Sequence, residues 1–101
     1  MTRVIIIASL SQENDIKNVT EHYRKIGCFV DYPIRQSDKE FSEIVDNYLY
    51  RINLADLVVV ISKPDGTLGR GSTYELSFAK FLNKPVKIIN MKNIIQNTME
   101  L

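Results

Sequence analysis

The residues with the greatest chemical potential lie in one stretch, Gly71-Ser72-Thr73-Tyr74-Glu75-Leu76-Ser77-Phe78-Ala79, followed by Pro85-Val86. A glycine-bearing loop there closes onto a helix, and Glu75 falls in the first turn expected for it. The loop follows Leu57-Val58-Val59-Val60-Ile61, an apolar run that reads as a buried strand. In open α/β sheets ligands bind at the carboxyl ends of strands, where such loops sit. A helix N-terminus offers free N–H donors and favours the ionised form of a carboxylate beside it. An ionised, positioned carboxylate can act as a nucleophile. The spacing has a structural explanation as well. Ser72-x-x-Glu75 has the form of a capping box, whose two side chains satisfy orphan backbone donors, and Ser37-x-x-Glu40 repeats the form with no sign of chemistry. Spacing alone leaves both readings of Glu75 open.

The other candidates are polar residues at turns. Ala8-Ser9-Leu10-Ser11-Gln12 ends the first apolar run, and serines at a strand-to-helix turn can bind a phosphate or ribose hydroxyl. Ser11 serves equally as a helix N-cap. Arg70, between two glycines, has the forked donors that suit a phosphate, whereas an exposed loop arginine needs no ligand to account for it. Asp65-Gly66 reads as a turn in which Asp65 bonds its own backbone. Cys28 is the single cysteine, which excludes an intrachain disulfide, and His22 stands alone. No metal-ligand set, P-loop, dinucleotide fingerprint or Ser-His-Asp arrangement is present, so neither metal nor cofactor is expected.

These residues need a scaffold, and the apolar pattern supplies one. Arg3 to Ala8 is a continuous β-branched run, read as a strand covered on both faces. Ile16, Val19, Tyr23 and Ile26 recur at helical spacing, with Gly27 as the stop. A second strand is expected over 28–32. Phe41, Ile44, Val45, Tyr48, Leu49 and Ile52 give an amphipathic helix. A third strand is expected over 56–62, a helix over 72–82 and a fourth strand over 86–89. Met91, Ile94, Ile95 and Met99 are spaced for a last short helix. The alternation implies an α/β fold: a flavodoxin-like three-layer sandwich on a small parallel sheet of order 2-1-3-4. The ligand crevice then falls between strands 1 and 3, beside Ser9 and the loop before Glu75.

The 101 residues are read as one domain spanning 1–101. Thirteen basic residues against 12 acidic, scattered along the chain, argue against nucleic acid as a partner. No apolar run is long enough for a membrane span or signal peptide, which points to a cytoplasmic protein. The helix after Gly71 carries Tyr74, Leu76, Phe78, Ala79, Phe81 and Leu82, apolar on more than one face. That predicts a homo-oligomer using Phe78 or Phe81 with the segment around Ile94 and Ile95.

Taken together, these motifs resemble the nucleoside 2-deoxyribosyltransferase family and its relatives that hydrolyse nucleotide N-glycosidic bonds. The specific match is Gly71-Ser72-Thr73-Tyr74-Glu75-Leu76-Ser77-Phe78 through Asn83-Lys84-Pro85-Val86. Ala55-Asp56-Leu57-Val58-Val59-Val60 is similar to the family's third strand, and Ile5-Ile6-Ile7-Ala8-Ser9 to its first. The resemblance implies a nucleoside or nucleotide as the small-molecule partner and Glu75 as the nucleophile at the anomeric carbon. It also implies that Ser9, Ser11, Asp65, Arg70, Gly71 and Ser72 line the sugar or phosphate pocket. The chain departs from the family pattern at three places. Ile5-Ile6-Ile7 stands where a tyrosine orients the glutamate, and Gly69 where an acidic residue assists the base, with Asp65 as a possible substitute. Asp46 lies about two residues off the register of the sugar-binding aspartate. A non-catalytic nucleotide-binding or regulatory module on the same scaffold is the alternative these departures imply.

Overall fold

The structure is a computed structural model that describes residues 1–35 and 40–92. Four strands, β1 (Arg3–Ile7), β2 (Phe29–Asp31), β3 (Leu57–Ser62) and β4 (Val86–Asn90), form one parallel sheet of order β2-β1-β3-β4. Three helices join them: α1 (Glu13–Lys25), α2 (Phe41–Leu54) and α3 (Arg70–Phe81). The topology is the expected one.

The central pair β1–β3 holds the fold. Ile5 pairs with Val58 and Ile7 with Val60, and every side chain from Val4 to Ile7 and from Val58 to Val60 is buried. Alternation then divides these residues between two cores. Val4, Ile6, Val59 and Ile61 pack with Ile16, Val19 and Tyr23 of α1. Ile5, Ile7, Val58 and Val60 pack with Ile52 of α2 and with Leu76 and Ala79 of α3. Strands covered on both faces explain the unbroken β-branched runs.

The ends of the elements differ from the sequence reading in ways that matter for the site. Ile26 is the C-cap of α1 and is 63% exposed, and Gly27 at φ +91° ends the helix directly after it. Ser11 is not an N-cap. Ser9 caps instead a short 3-10 turn, Leu10–Gln12, that precedes α1. Helix α3 starts at Arg70 with Gly69 as its N-cap, two residues earlier than expected, and no side chain caps it. Ser72 and Glu75 therefore form no capping box. Glu40 precedes α2 as N-cap without a side-chain bond; Ser37, and with it that second box, lies outside the described residues. Ile94, Ile95 and Met99 lie outside them too, while Met91 packs on the α1 side of the sheet.

Lys84 ties α2 to the sheet. Its Nζ donates to Asn53 O at 2.7 Å and Ala55 O at 2.9 Å, satisfying carbonyls that the helix end leaves open. Asn83 takes φ +58° to bring it there. Ile52 is the one α2 residue among those described that is fully buried. Ile52→Ala is expected to lower stability by about 2–5 kcal/mol through the cavity it leaves. Urea unfolding checks this; a loss under 1 kcal/mol would show that Ile52 does not anchor α2.

Candidate active site

A cleft of about 730 Å³ opens at the carboxyl end of β1, walled by α2 and by the start of α3. Ser9, Arg70, Gly71, Ser72 and Glu75 all line it. The sequence reading therefore brought five of its seven candidates to one place. Ser11 and Asp65 do not line it. Ser11 is exposed, with its Oγ 2.8 Å from Ser9 Oγ. Asp65 accepts from Thr67 Oγ1 at 2.6 Å and from Thr67 N at 3.0 Å, the local turn bonds that also hold its carboxyl below the ordinary pKa. Asp46 is exposed and also outside the cleft; its neighbour Asn47 lines it.

The end of β1 is fixed by Gln12, a buried residue the sequence reading passed over. Its Nε2 donates to Ser62 O at 2.8 Å, and its Oε1 accepts from Ser9 N at 3.4 Å, so one side chain spans the carboxyl ends of β1 and β3. A side-chain carbon at Gly69 would stand 4.0 Å from Ser9 Cβ, so the start of α3 meets the end of β1 here. The first intrahelical bond of α3 runs from Thr73 N to Gly69 O. The N–H groups of Arg70, Gly71 and Ser72 consequently have no partner within the helix and lie on the cleft wall. Ser72 is buried, with no hydrogen bond to its hydroxyl among the described residues. Gly71 takes no positive φ, and a Cβ there would meet nothing within 4 Å, so nothing inside the chain requires a glycine at that place.

Glu75 sits in the second turn of α3, not the first, and this overturns the expectation that the helix end keeps it ionised. Its carboxyl is largely buried, and desolvation raises its pKa from 4.5 to about 7. Tyr48 of α2 stands beside it. The phenol donates to Ile6 O and is pushed well above its ordinary pKa, first by burial, then by the carboxyls of Glu75 and Asp31, against the opposing charge of Arg51. A tyrosine is thus present next to the glutamate, supplied by α2 and bonded to the β1 backbone. In the sequence Tyr48 belongs to the apolar stripe of α2. The signal for more was its phenol, which needs a partner when buried.

The α2 wall carries a charged network that sequence gave no means of finding. Asp31, buried at the end of β2, accepts from Arg51 Nη1 at 2.8 Å and lies 3.5 Å from Arg3 Nη2. Asn47 Oδ1 lies 3.4 Å from Arg51 Nε. Tyr32, Phe41, Ile44, Val45 and Tyr74 complete a mostly apolar lining. Among the described residues no group of three or more His, Cys, Asp and Glu side chains gathers to hold a metal, and no helix is long and apolar enough to cross a membrane.

The fold is that of known glycosyl-transferring and glycosyl-cleaving proteins. A 2-deoxyribosyltransferase from Leishmania mexicana superposes with a TM-score of 0.71 at 13% identity, over 89% of this chain and 65% of its own. A CMP N-glycosidase from Clostridium botulinum superposes with a TM-score of 0.71 at 18% identity, over 88% of this chain and 69% of its own. This chain thus spans about two thirds of either. No family model and no curated protein sequence matches it.

The carboxyl of Glu75 makes stability depend on pH. Its folded pKa lies above its unfolded value, so its contribution is fully present below about pH 4.5 and is lost as pH rises through about 7. Glu75→Gln mimics the protonated form and cannot titrate. The variant should match wild type near pH 4.5 and exceed it at pH 8 by about 1–2 kcal/mol, discounted for the solvent that reaches the site. Thermal melts across that range test this; a variant less stable than wild type at pH 8 would show Glu75 to be a structural, ionised residue.

Proposed function

We propose that the protein cleaves the N-glycosidic bond of a nucleoside or nucleotide, or transfers its deoxyribosyl group, with Glu75 as nucleophile. The observation that carries this reading is a single desolvated carboxyl, beside a buried phenol, on the wall of an apolar cleft at the switch point of the sheet. As the base departs, positive charge grows on the sugar's anomeric carbon. A carboxylate poorly solvated in its ground state is stabilised by that charge more than a hydrated one would be. It then bonds to the anomeric carbon, and water or a second base releases the sugar from Glu75. The likeness to a deoxyribosyltransferase and a CMP N-glycosidase supports the reaction class. The partner-free N–H groups at the start of α3, the Ser72 hydroxyl and Arg70 suit a phosphate on the ligand.

Only ionised Glu75 is a nucleophile, so kcat/KM for base release should rise about tenfold per pH unit below pH 7 and level off above it. Glu75→Gln should fold yet release base more slowly by orders of magnitude. A panel of nucleosides and nucleotides, assayed for free base, tests both. Wild-type rates in Glu75→Gln would remove the nucleophile.

One observation favours the second reading, a non-catalytic nucleotide-binding module. Glu75 is the sole carboxyl among the described residues lining the cleft, leaving no second acid to protonate a departing base. That reading expects nucleotides to raise the melting temperature, by linkage, with no base released.

The same proposal includes a homo-oligomer. Phe78 packs against the core beneath α3, whereas Phe81 at the end of that helix is 81% exposed. Phe81→Glu is expected to convert the assembly to monomer at tens of micromolar, measured by sedimentation; a monomeric wild type would refute the oligomer.

A further inference from the structure

Resting on the N-glycosidase reading, the geometry points to a base-recognition site on the α2 wall: we propose that Arg51 and Asn47 bind the carbonyl edge of the departing nucleobase, making an oxo-bearing base the substrate class and adenine a poor one. The two arginines of the cleft differ in their surroundings. Arg70, at the open start of α3, has no carboxylate partner among the described residues, and its net charge suits a phosphate. Arg51 is held at 2.8 Å by the buried carboxylate of Asp31, which it shares with Arg3 at 3.5 Å. A guanidinium so paired keeps its directional N–H groups while part of its charge is offset, which suits a neutral acceptor better than the unpaired Arg70 does.

The donors are also oriented. Arg51 Nη1 is taken by Asp31 and Nε lies against Asn47 Oδ1, so the same contacts that fix the guanidinium leave Nη2 without a partner among the described residues. With its Oδ1 turned to Arg51, the amide N–H₂ of Asn47 has no hydrogen-bond partner among the described residues. Arg51 and Asn47 therefore offer neighbouring N–H donors, matching the oxygen and ring nitrogen of hypoxanthine, guanine or a 2-oxopyrimidine. Adenine places its amino group where the oxo base has an acceptor. Aromatic rings of Phe41 and Tyr32 border the same wall and suit a planar ligand.

This arrangement supplies what a lone carboxyl cannot. A Glu75 oxygen bonds to C1′ as the C1′–N bond breaks, and that bond's electron pair passes to the ring nitrogen and by conjugation to the carbonyl oxygen. Donors from Arg51 and Asn47 stabilise the charge there, so the base departs as an anion and takes its proton from water. Water then attacks C1′ and frees the Glu75 carboxylate, or a second base does so in transfer.

The test compares inosine and adenosine 5′-monophosphates, in ribo and deoxy forms, which differ at the base edge by one carbonyl. Wild type should favour the inosine form by about ten- to hundred-fold in kcat/KM. Asn47→Asp keeps the oxygen facing Arg51 but loses the donor, and Arg51→Lys keeps the charge beside Asp31 but loses the fork. Both should fold and bring the ratio near one. A wild-type ratio near one, or a ratio unchanged in both variants, overturns the proposal. Melting shifts with free hypoxanthine, adenine and ribose 5-phosphate separate its failure from that of the glycosidase reading. If no base is released but hypoxanthine alone among the bases stabilises wild type, and not Asn47→Asp, then the base site stands and the catalytic reading falls. If Arg51→Lys weakens ribose 5-phosphate and leaves hypoxanthine unaffected, Arg51 holds phosphate and the proposal is overturned.

Discussion

The parallel ladder between β1 and β3 is the constraint on which everything else rests. Its side chains are buried on both faces, so a one-residue slip would exchange the two cores wholesale and put Ile6 where Ile5 packs. Register is therefore fixed, and so are the carboxyl ends, where the chain must leave the sheet in opposite directions. Gln12 spans these ends, from Ser62 to Ser9, and replaces with a defined bond the pairing that the ladder no longer supplies. The crevice is a consequence of topology. Its rigidity is a consequence of Gln12 and of the packed β-branched pair.

On that rigid edge, two opposing effects act on Glu75. A helix N-terminus favours the charged form, but the benefit fades beyond the first turn. With α3 starting at Arg70, Glu75 lies past that range, and burial against Tyr48 dominates. The balance therefore depends on where one helix begins. Moving the start by two residues turns a capped, solvated carboxylate into one that resists ionisation up to about pH 7. On the proposed reaction, that reluctance in the empty site is the useful property, because a developing positive charge on the sugar would offset it.

The sheet was legible in the sequence because its signal is local and redundant. Ile5-Ile6-Ile7 and Val58-Val59-Val60 each state a doubly covered strand, and the alternation with helical stripes leaves few topologies. The glycine segment around Glu75 was legible as a site because it lies at the end of such a strand. Its ionisation differs from the expectation because α3 starts at Arg70 and not at Ser72, which removes the capping box and carries Glu75 past the first turn. Asp65 and Ser11 show the limit in the other direction. Both are polar, both follow strands, and both satisfy local turn contacts instead of facing the cleft.

The α2 wall was illegible for a deeper reason. Asp31 and Arg51 are 20 residues apart on different elements, and no periodicity links them. Only the crossover that lays α2 over the β1–β2 side of the sheet makes them neighbours. Once there, they cannot be exchanged freely: Asp31 is buried, and without Arg51 its charge would have only the more distant Arg3. A buried ion pair contributes little net stability over an apolar one. Its value here is directional, because Asp31 fixes the guanidinium at one corner and Asn47 at another, leaving Nη2 without a partner among the described residues. Asp31 is thus a buried charge held by side chains from two other elements, Arg3 of β1 and Arg51 of α2, and through Arg51 it fixes one side of the cleft that Glu75 lines.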